Sequence, residues 1–351
     1  MMHKNDFKKL FREAFTLNTE WIDWFMDSVF DENDMLDIEI DNKLVSALLM
    51  SSYPFAYQGA ELLSAYISCV ATAKSERGKG YMSTLMLKAL IASAERGDAF
   101  ATLIPANKHL YFFYDAFGFS TVFYIDEQRY TSLHTFASSP DFYETEPDFD
   151  TFRRLEALRP CGVRHDRKRF SQIMDDIRLD EGLTVAVTDG KGEDAIAFVE
   201  NGNEAKVLDL LATSETAAEN VLAAIRKHVG EKSVIILGLP SEAASDSSFR
   251  GARLRSRAML RIINAEVVLG TLAAANPSLH QTVRIHDPII RKNNATFIIS
   301  GGQCKRSDSK PSHLDLDLNI DVLGRLLFSA PSIGDVFGIP TRRPFISLML
   351  D

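Results

Sequence analysis

Cysteine is scarce in this chain, which has only three among its 351 residues, at Cys69, Cys161 and Cys304. The three lie far apart, and none has a partner at the short spacing typical of metal-binding cysteines, so we predict no metal site. Two of them lie in or beside apolar stretches. This placement favours reduced structural thiols over disulfide bonds.

Long apolar runs are missing as well. No stretch approaches the roughly 20 apolar residues of a membrane-spanning helix, so no membrane span is predicted. The first residues, Met-Met-His-Lys-Asn-Asp, are not followed by the apolar core of a signal peptide, so we expect a cytoplasmic protein. The formal net charge of −9 argues against a nucleic-acid partner and suits a cationic small substrate.

The most informative segment is residues 69–82, where an apolar run ending in Val-Ala-Thr leads into Arg-Gly-Lys-Gly and then into an amphipathic stretch. This order predicts a strand, a turn and the start of a helix. Gly78 and Gly80 let the backbone approach a bulky anion such as a pyrophosphate, toward which the unpaired amides of the first helical turn point. Arg77 and Lys79 can add positive charge. On its own, however, a glycine pair in a polar turn is more typical of a simple turn.

A second segment contains the pattern Tyr-x-x-x-Gly-Phe, from Tyr114 to Phe119, near the end of a short predicted helix. Alone, such a tyrosine is more often a buried ring whose hydroxyl is satisfied within the protein. In order along the chain, however, the glycine loop and this pattern resemble the acetyl-coenzyme A site of the GNAT N-acetyltransferases. The chain departs from that family at Ser75, where the loop usually begins with Gln or Arg.

The resemblance implies a role for each matching residue. The strand that contacts the pantetheine arm of acetyl-coenzyme A would comprise Cys69, Val70, Ala71 and Thr72. The loop and helix start that hold the pyrophosphate would comprise Arg77, Gly78, Lys79, Gly80, Tyr81 and Met82. Tyr114 would be the general acid that protonates the departing thiolate. The implied reaction moves an acetyl group from acetyl-coenzyme A, a cosubstrate, to an amine of a small-molecule or peptide acceptor.

The order of predicted elements divides the chain into three domains. Residues 1–135 mix helices and strands in the manner of an α/β unit. After an aperiodic linker at 138–150, residues 150–257 echo part of that order, but Thr-Ser-Glu-Thr after Leu211 replaces the glycine loop. We therefore expect no coenzyme in this middle domain. Residues 258–351 predict a small α+β domain.

This order resembles the Eis group of acetyltransferases, in which a catalytic GNAT domain, a degenerate GNAT-like domain and a sterol-carrier-protein-like domain follow one another. The implied fold class is α/β and α+β, with two tandem GNAT-like mixed-sheet domains followed by a small sterol-carrier-like domain. The resemblance also implies a homo-oligomer, and a terminal carboxylate, here that of Asp351, that helps to deprotonate the amine. An ordinary final strand explains the apolar end of the chain as well.

Other interpretations remain open. Glu20, Asp23 and Asp27, near the second predicted helix, could attract a cationic amine, but a solvated helix face explains them as well. The sterol-carrier-like domain is compatible with lipid or acyl-coenzyme A binding without catalysis, and the whole chain with a scaffold. The intact glycine loop and Tyr114 favour an enzyme over both.

Overall fold

The computed structural model describes residues 2–238, 253–309 and 313–350. These residues form two compact units. Unit 1 comprises the described residues of Met1–Phe123 and Arg257–Pro344, and unit 2 comprises those of Tyr124–Ser256 and Phe345–Leu350. The three-domain division at 1–135, 150–257 and 258–351 stays a prediction.

The elements follow one another along the chain in three stretches. The first contains α1 (Met2–Ala14), α2 (Thr19–Ser28), β1 (Met35–Ile40), β2 (Lys43–Tyr57), β3 (Ala60–Thr72), α3 (Tyr81–Arg96), β4 (Phe100–Leu103), α4 (Lys108–Asp115) and β5 (Ser120–Tyr130). The second contains β6 (Tyr143–Thr145), α5 (Phe149–Glu156), β7 (Gly162–Val163), α6 (Arg167–Leu179), β8 (Leu183–Thr188), β9 (Asp194–Asn201), β10 (Ala205–Ala212), α7 (Glu215–Val229) and β11 (Val234–Gly238). The third contains β12 (Arg253–Ile262), α8 (Ala265–Ala275), β13 (Gln281–His286), β14 (Ala295–Ser300), β15 (Gln303–Ser307), β16 (Leu316–Asn319), α9 (Ile320–Leu327) and α10 (Pro331–Phe337). None of these helices combines the length and the apolar character needed to cross a membrane.

The large sheet of unit 1 contains the strand order β1-β2-β3-β4-β12. Neighbours pair antiparallel except for β3 and β4, which pair parallel. Every residue of β2 from Val45 to Met50 is buried, and successive side chains of a strand point to opposite faces. Both faces of this sheet are therefore covered. Helices α1 and α3, which both pack on β2 and β3, supply the cover.

Helices α1 and α2 pack on each other through aromatic rings. Phe11 of α1 stacks on Phe25 of α2, with ring centroids 5.6 Å apart, and Trp21 stacks on Phe25 at 5.1 Å. Trp21, Phe25 and Val29, which recur at helical spacing, are buried, and Trp24 is half-buried. These residues form the face that α2 and the residue after it turn to the interior.

A second, four-stranded sheet lies in unit 1, in the order β15-β14-β13-β16. Helix α8 packs on β14 and β15, and α9 packs on β13 and β16. The sheet buries apolar side chains of Val283, Ile285, Phe297 and Ile299, none of them more than 2% exposed. Arg284, which alternates with Val283 and Ile285, lines an open groove of about 520 Å³.

Unit 2 repeats the strand pattern of unit 1. Strands β8, β9 and β10 pair antiparallel and β10 pairs parallel with β11, as β1 to β4 do in unit 1. Helix α7 connects β10 to β11 and packs on β8, β9 and β10, in the way that α3 packs on β1, β2 and β3. The predicted class is therefore confirmed: tandem mixed-sheet α/β units together with a smaller second sheet.

One local prediction is corrected by the structure. The segment 138–150 is more than a linker, because it contains β6, which pairs with β8 through residues 143–145. The partner strand lies about 40 residues further along the chain, where a local sequence pattern does not reveal it.

The last described segment, Phe345–Leu350, belongs to unit 2 and is buried along its whole length. The guanidinium of Arg159 lies over the ring of Phe345, 3.9 Å from its centroid. The hydroxyl of Ser347 donates a hydrogen bond to the carboxylate of Asp209 across 2.5 Å. The end of the chain is therefore packed, as its apolar sequence predicts, but it does not form a regular strand.

Candidate active site

A β-bulge lies at the end of β3, among the residues predicted to contact the pantetheine arm. The register with β2 shifts between Ser68 and Ala71, so that Cys69 and Val70 together face a single residue of β2. Cys69 has a φ of 53°, a left-handed value that is uncommon outside glycine. Bulges bend a strand, interrupt its ladder and occur frequently beside active sites.

The pairing of β3 with β4 is short. It covers Ser64 to Tyr66, whereas β3 continues to Thr72. On the opposite edge, the hydroxyl of Ser46 in β2 donates to the carbonyl of Ala71 across 2.9 Å and lies 2.8 Å from the hydroxyl of Thr72. Ser46 thus holds the end of β3 against β2. The parallel pairing stops well before β3 ends, because β4 ends at Leu103.

The loop between β3 and α3 carries the two predicted glycines. Gly78 and Gly80 have φ values of 77° and 83°, which glycine adopts without strain. A Cβ atom built on either glycine would have no neighbouring atom within 4 Å, so the surface of the loop is open at both positions. Helix α3 begins at Tyr81, and its N-cap residue makes no side-chain capping bond. The N–H groups of its first turn are therefore available to an anion.

The cations of this loop are partly engaged. Arg77 donates from Nε to the carbonyl of Thr72 across 3.2 Å, and Lys79 forms a 2.8 Å ion pair with Glu76. The hydrogen bond with Glu76 raises the pKa of Lys79, so the ammonium group stays charged. Because Glu76 offsets Lys79, the attraction of this loop for an anion comes mainly from the backbone N–H groups and Arg77.

Tyr114 lies in the last turn of α4, and both ends of this short helix are fixed. At its start, the side chain of Asn107 accepts hydrogen bonds from two N–H groups of the first turn. At its end, the N–H groups of Phe117 and Phe119 both donate to the carbonyl of Tyr114. Gly118, between them, has a φ of 79°, which explains why glycine occupies this place in the sequence pattern.

The ring of Tyr114 is only 4% exposed and contacts the rings of Phe113 and Phe119. It belongs to an apolar cluster against which Val70 and Met82 also pack, so the end of β3, the start of α3 and Tyr114 contribute to the same cluster. No described residue forms a hydrogen bond with the Tyr114 hydroxyl. Burial raises the pKa of Tyr114 to about 12, so the phenol keeps its proton at neutral pH.

The structure places the predicted residues Cys69–Thr72, Arg77–Met82 and Tyr114 together in unit 1. Asp351, predicted as a base, lies outside the described residues. The sequence analysis missed the bulge at Cys69 and the role of Ser46. A single serine in an apolar strand was the one available signal for Ser46, and no signal distinguished Cys69.

Two of the three acidic side chains of α2, Asp23 and Asp27, are paired with cations of α1. Asp23 lies 2.7 Å from Lys8 and 2.8 Å from Arg12. Asp27 lies 3.0 Å from Lys4. The hydrogen bond from Lys8 lowers the pKa of Asp23, and these carboxylates are exposed. They fit the solvated helix face better than a binding surface for an amine.

The elements that form this site all lie within the first 122 residues. Residues 3–122 match the sequence model of the acetyltransferase (GNAT) domain. The matched stretch contains every predicted coenzyme residue as well as Tyr114, and it supports acyl transfer as the class of reaction. No curated protein is significantly similar to the chain in sequence.

Solved structures resemble the chain in fold over nearly its whole length. The GCN5-related N-acetyltransferase from Anabaena variabilis is 16% identical, with a TM-score of 0.76 over 97% of this chain and 92% of that one. A probable N-acyltransferase from Enterococcus faecalis is 15% identical, with a TM-score of 0.77 over 99% and 96%. Eis1 from Mycobacterium abscessus is 13% identical, with a TM-score of 0.71 over 97% and 92%. At these identities the likeness shows the fold alone, and that fold extends well beyond the GNAT domain.

Unit 2 has the counterpart of the cleft in the GNAT domain but not of its loop. Strand β10 carries a bulge between Val207 and Asp209, and its pairing with β11 ends at Val207 although β10 continues to Ala212. The N-terminus of α7, however, is capped by Ser214, which accepts a hydrogen bond from the N–H group of Ala217. An N–H group that binds this cap is not available to a phosphate.

Side chains of unit 2 also fill the place that corresponds to the cleft. The carboxylate of Asp209 accepts hydrogen bonds from Arg159 and Ser347. Arg159 donates in addition to the carbonyl of Leu210, which lies beyond the pairing of β10 with β11. The second bulge therefore serves the packing of unit 2 itself.

We predict that each chain binds one coenzyme, in the GNAT domain. Calorimetric titration with coenzyme A should give a stoichiometry of one per chain. The variant Ser214→Gly removes the cap of α7 but leaves Arg159 and Ser347 in place, so its stoichiometry should also be one. A value of two in either protein would contradict the assignment of unit 2 as a non-binding repeat.

Proposed function

We propose that this chain is an N-acetyltransferase of the Eis-like type, which transfers an acetyl group from acetyl-coenzyme A to a primary amine of a small-molecule or peptide acceptor. The observation that carries the proposal is the meeting, in the GNAT domain, of a bulged strand with an open edge, an uncapped helix start behind two left-handed glycines, and Tyr114. The likeness in fold to Eis1 and to a probable N-acyltransferase supports it. A sterol-carrier-like small domain, a homo-oligomer and a cytoplasmic location belong to the same proposal and rest on the resemblance to the Eis group.

The residues present fit acetyl-coenzyme A. The pantetheine arm takes the edge of β3 beyond Tyr66, where β4 no longer pairs, and bonds to backbone groups of residues 69–72. The pyrophosphate lies over Gly78 and Gly80, where even a Cβ atom would meet no other protein atom within 4 Å, and accepts hydrogen bonds from the first turn of α3. Charge from Arg77 adds to the helix dipole.

The transfer needs a neutral amine, a polarised thioester carbonyl and a proton for the leaving thiolate. The amine nitrogen bonds to the acetyl carbon, and the bond from that carbon to sulfur breaks. Backbone N–H groups at the end of β3 polarise the carbonyl. Tyr114 gives its hydroxyl proton to the sulfur. The nitrogen loses one proton to a base, and that proton returns through solvent to the tyrosinate.

Efficient proton transfer requires that the pKa of the leaving thiol lie close to the raised pKa of Tyr114. A free thiol has a pKa of about 8.5, well below the value of about 12 that burial gives Tyr114. A coenzyme sulfur placed beside this buried ring also loses water, and loss of hydration raises the pKa of a thiol. The same apolar surroundings therefore raise the pKa of both groups, and they keep Tyr114 in the protonated form that can donate.

The base in this proposal is the terminal carboxylate of Asp351. Support comes from the segment before it, which is held in place along its length. Phe345 lies under Arg159, Ser347 bonds to Asp209, and Leu350 is only 4% exposed. A base has to be held in a fixed position, and the packing of the segment that precedes Asp351 meets that requirement as far as Leu350.

The alternative, a carrier of lipids or acyl-coenzyme A without catalysis, gains no support from the described part of the small sheet. The apolar side chains of its strands fill the space under α8 and α9. The groove beside Arg284, His286 and Thr296 is open to solvent and does not form an enclosed cavity. An open groove would leave an acyl chain largely exposed to water.

We predict that a bulky side chain at Gly80 abolishes coenzyme binding. In Gly80→Leu the new side chain projects into the open space assigned to the pyrophosphate. Gly97→Leu is the matched control, because Gly97 ends the same helix with a φ of 86° and also has no atom within 4 Å of a built Cβ. Both variants carry the same backbone strain, so calorimetry should show loss of coenzyme affinity in the first and retention in the second. Equal coenzyme affinities in the two variants would contradict the placement of the pyrophosphate at Gly80.

The proposed reaction is tested by thiol release from acetyl-coenzyme A in the presence of a panel of amines. We expect release with at least one primary amine, and a fall in turnover of about 10²–10⁴ in Tyr114→Phe, the usual range for a general acid. The substitution keeps the ring and its packing, so stability should hardly change. With a pKa of about 12 in the folded protein, Tyr114 should cause no alkaline loss of turnover below about pH 10. Full activity in Tyr114→Phe would refute its role.

We predict that the main-chain carboxylate at the C-terminus, and not the side chain of Asp351, takes part in deprotonating the amine. Asp351→Asn removes the side-chain carboxylate alone and should retain turnover. Extension of the chain by a few Gly and Ser residues removes the terminal carboxylate and should lower turnover, with unchanged coenzyme affinity as the control. If the extended protein is fully active, the chain end is only structural.

A further inference from the structure

A fully buried arginine lies at the end of the helix that carries Tyr114. Arg261, in β12, is 0% exposed, and its guanidinium is shared between three acceptors. Nε donates to the carbonyl of Phe117 across 2.7 Å, and the two remaining nitrogens donate to the carbonyl of Ile262 at 2.8 Å and to the carboxylate of Asp287 at 2.7 Å. Lysine could not reach three acceptors in this planar arrangement.

The partner of this arginine is itself held rigidly. Asp287 is also fully buried at its side chain, and the oxygen that pairs with Arg261 accepts the N–H groups of Ile289 and Ile290 at 2.9 and 3.0 Å. Its other oxygen accepts a hydrogen bond from Asn293 across 2.8 Å. Asp287 therefore holds the guanidinium in a fixed position, and from there the guanidinium can hold the carbonyl of Phe117.

What lies on the other side is the turn that ends α4. Phe117, whose carbonyl binds Arg261, donates its own N–H group to the carbonyl of Tyr114 across 2.9 Å. Gly118 lets the turn after α4 come this close to β12, because a Cβ there would stand 3.2 Å from Nε of Arg261. Two consecutive hydrogen bonds thus connect the buried guanidinium to the backbone of Tyr114.

The energetics favour a role beyond stability. Burial lowers the pKa of Arg261 and Asp287 opposes this shift, which reflects the cost of taking the charge out of water. Well-packed apolar side chains in place of a buried ion pair often stabilise a fold as much or more. What they cannot supply is a directed, charge-assisted bond to one carbonyl.

We propose that Arg261 is a positioning residue for the general acid: through Phe117 it sets the place of α4 and thereby of the Tyr114 hydroxyl. The inference rests on the proposed acetyltransferase function. It assigns to β12, which lies outside the matched GNAT domain, a part in the site of that domain. A small displacement of a catalytic group costs a large factor in rate, so fixing the helix matters for turnover more than for binding.

The test is a double-mutant cycle between Arg261→Lys and Tyr114→Phe. Arg261→Lys keeps the charge but loses the planar set of three donors. It should lower kcat by about 10²-fold while coenzyme affinity stays unchanged. In the Tyr114→Phe background it should lower kcat little further, because the group that it positions is already absent. Arg96→Lys is the control, because Arg96 pairs with the buried Asp98 in the same unit without contacting α4. It should cost stability and leave kcat unchanged.

Gly118→Ala provides a second cycle if Arg261→Lys does not fold. Its methyl group would stand 3.1 Å from Cγ2 of Ile320 and 3.2 Å from Nε of Arg261, whereas Gly97→Ala has the same left-handed backbone and no neighbouring atom within 4 Å. Gly118→Ala should lower kcat only when Tyr114 is present, and Gly97→Ala should not lower it at all. Losses that multiply in the Tyr114→Phe background would overturn the inference and leave the proposed function standing. Full turnover in Tyr114→Phe alone would overturn both the general acid and its positioning.

Discussion

The short parallel pairing of β3 with β4 is the constraint on which the rest of the site depends. Parallel strands in a sheet normally share their hydrogen bonds along their common length. Here the pairing ends at Tyr66, and Ser46 binds the last residues of β3 to the other neighbour. The last residues of β3 therefore have a strand neighbour on one side only, and the proposed coenzyme site uses the other side.

The short parallel pairing after a bulged strand occurs in both units, but its surroundings differ. In unit 1 the loop after the bulged strand is left open, and the following helix has no side-chain cap. In unit 2 the corresponding helix is capped by Ser214, and Arg159 and Ser347 bind at the bulge. One backbone pattern is thus left open at the proposed coenzyme site of unit 1 and is occupied by side chains in unit 2. The side chains that decide between them are few and polar.

The sequence predicted those parts of the site that depend on local signals. Gly78 and Gly80 before an amphipathic stretch, and Gly118 after a short aromatic helix, mark their turns by conformations that few other residues accept. The bulge at Cys69 carried no such signal, because it results from how β2 and β3 align.

Strand β12 was missed for a related reason. Its arginines at alternate positions are typical of a wet surface, yet Arg261 is fully buried because Asp287, distant in sequence, balances its charge. The middle of the chain could be predicted only as an order of elements. The pairing pattern in the structure made the repeat visible, because a repeated fold preserves backbone pairing better than it preserves side chains.

The position of β12 has a consequence for how the protein is made. β4 acquires its second neighbour only when residues 253–262 have left the ribosome, after the whole of β5 to β11. Until then the sheet begun by the first domain ends in an uncovered strand edge, the kind of edge through which unfinished chains associate. The strands of unit 2 from β8 to β11 lie in one continuous stretch and can pair as they emerge. The sheet whose strands are synthesised first is thus completed only after the strands of unit 2 have been made.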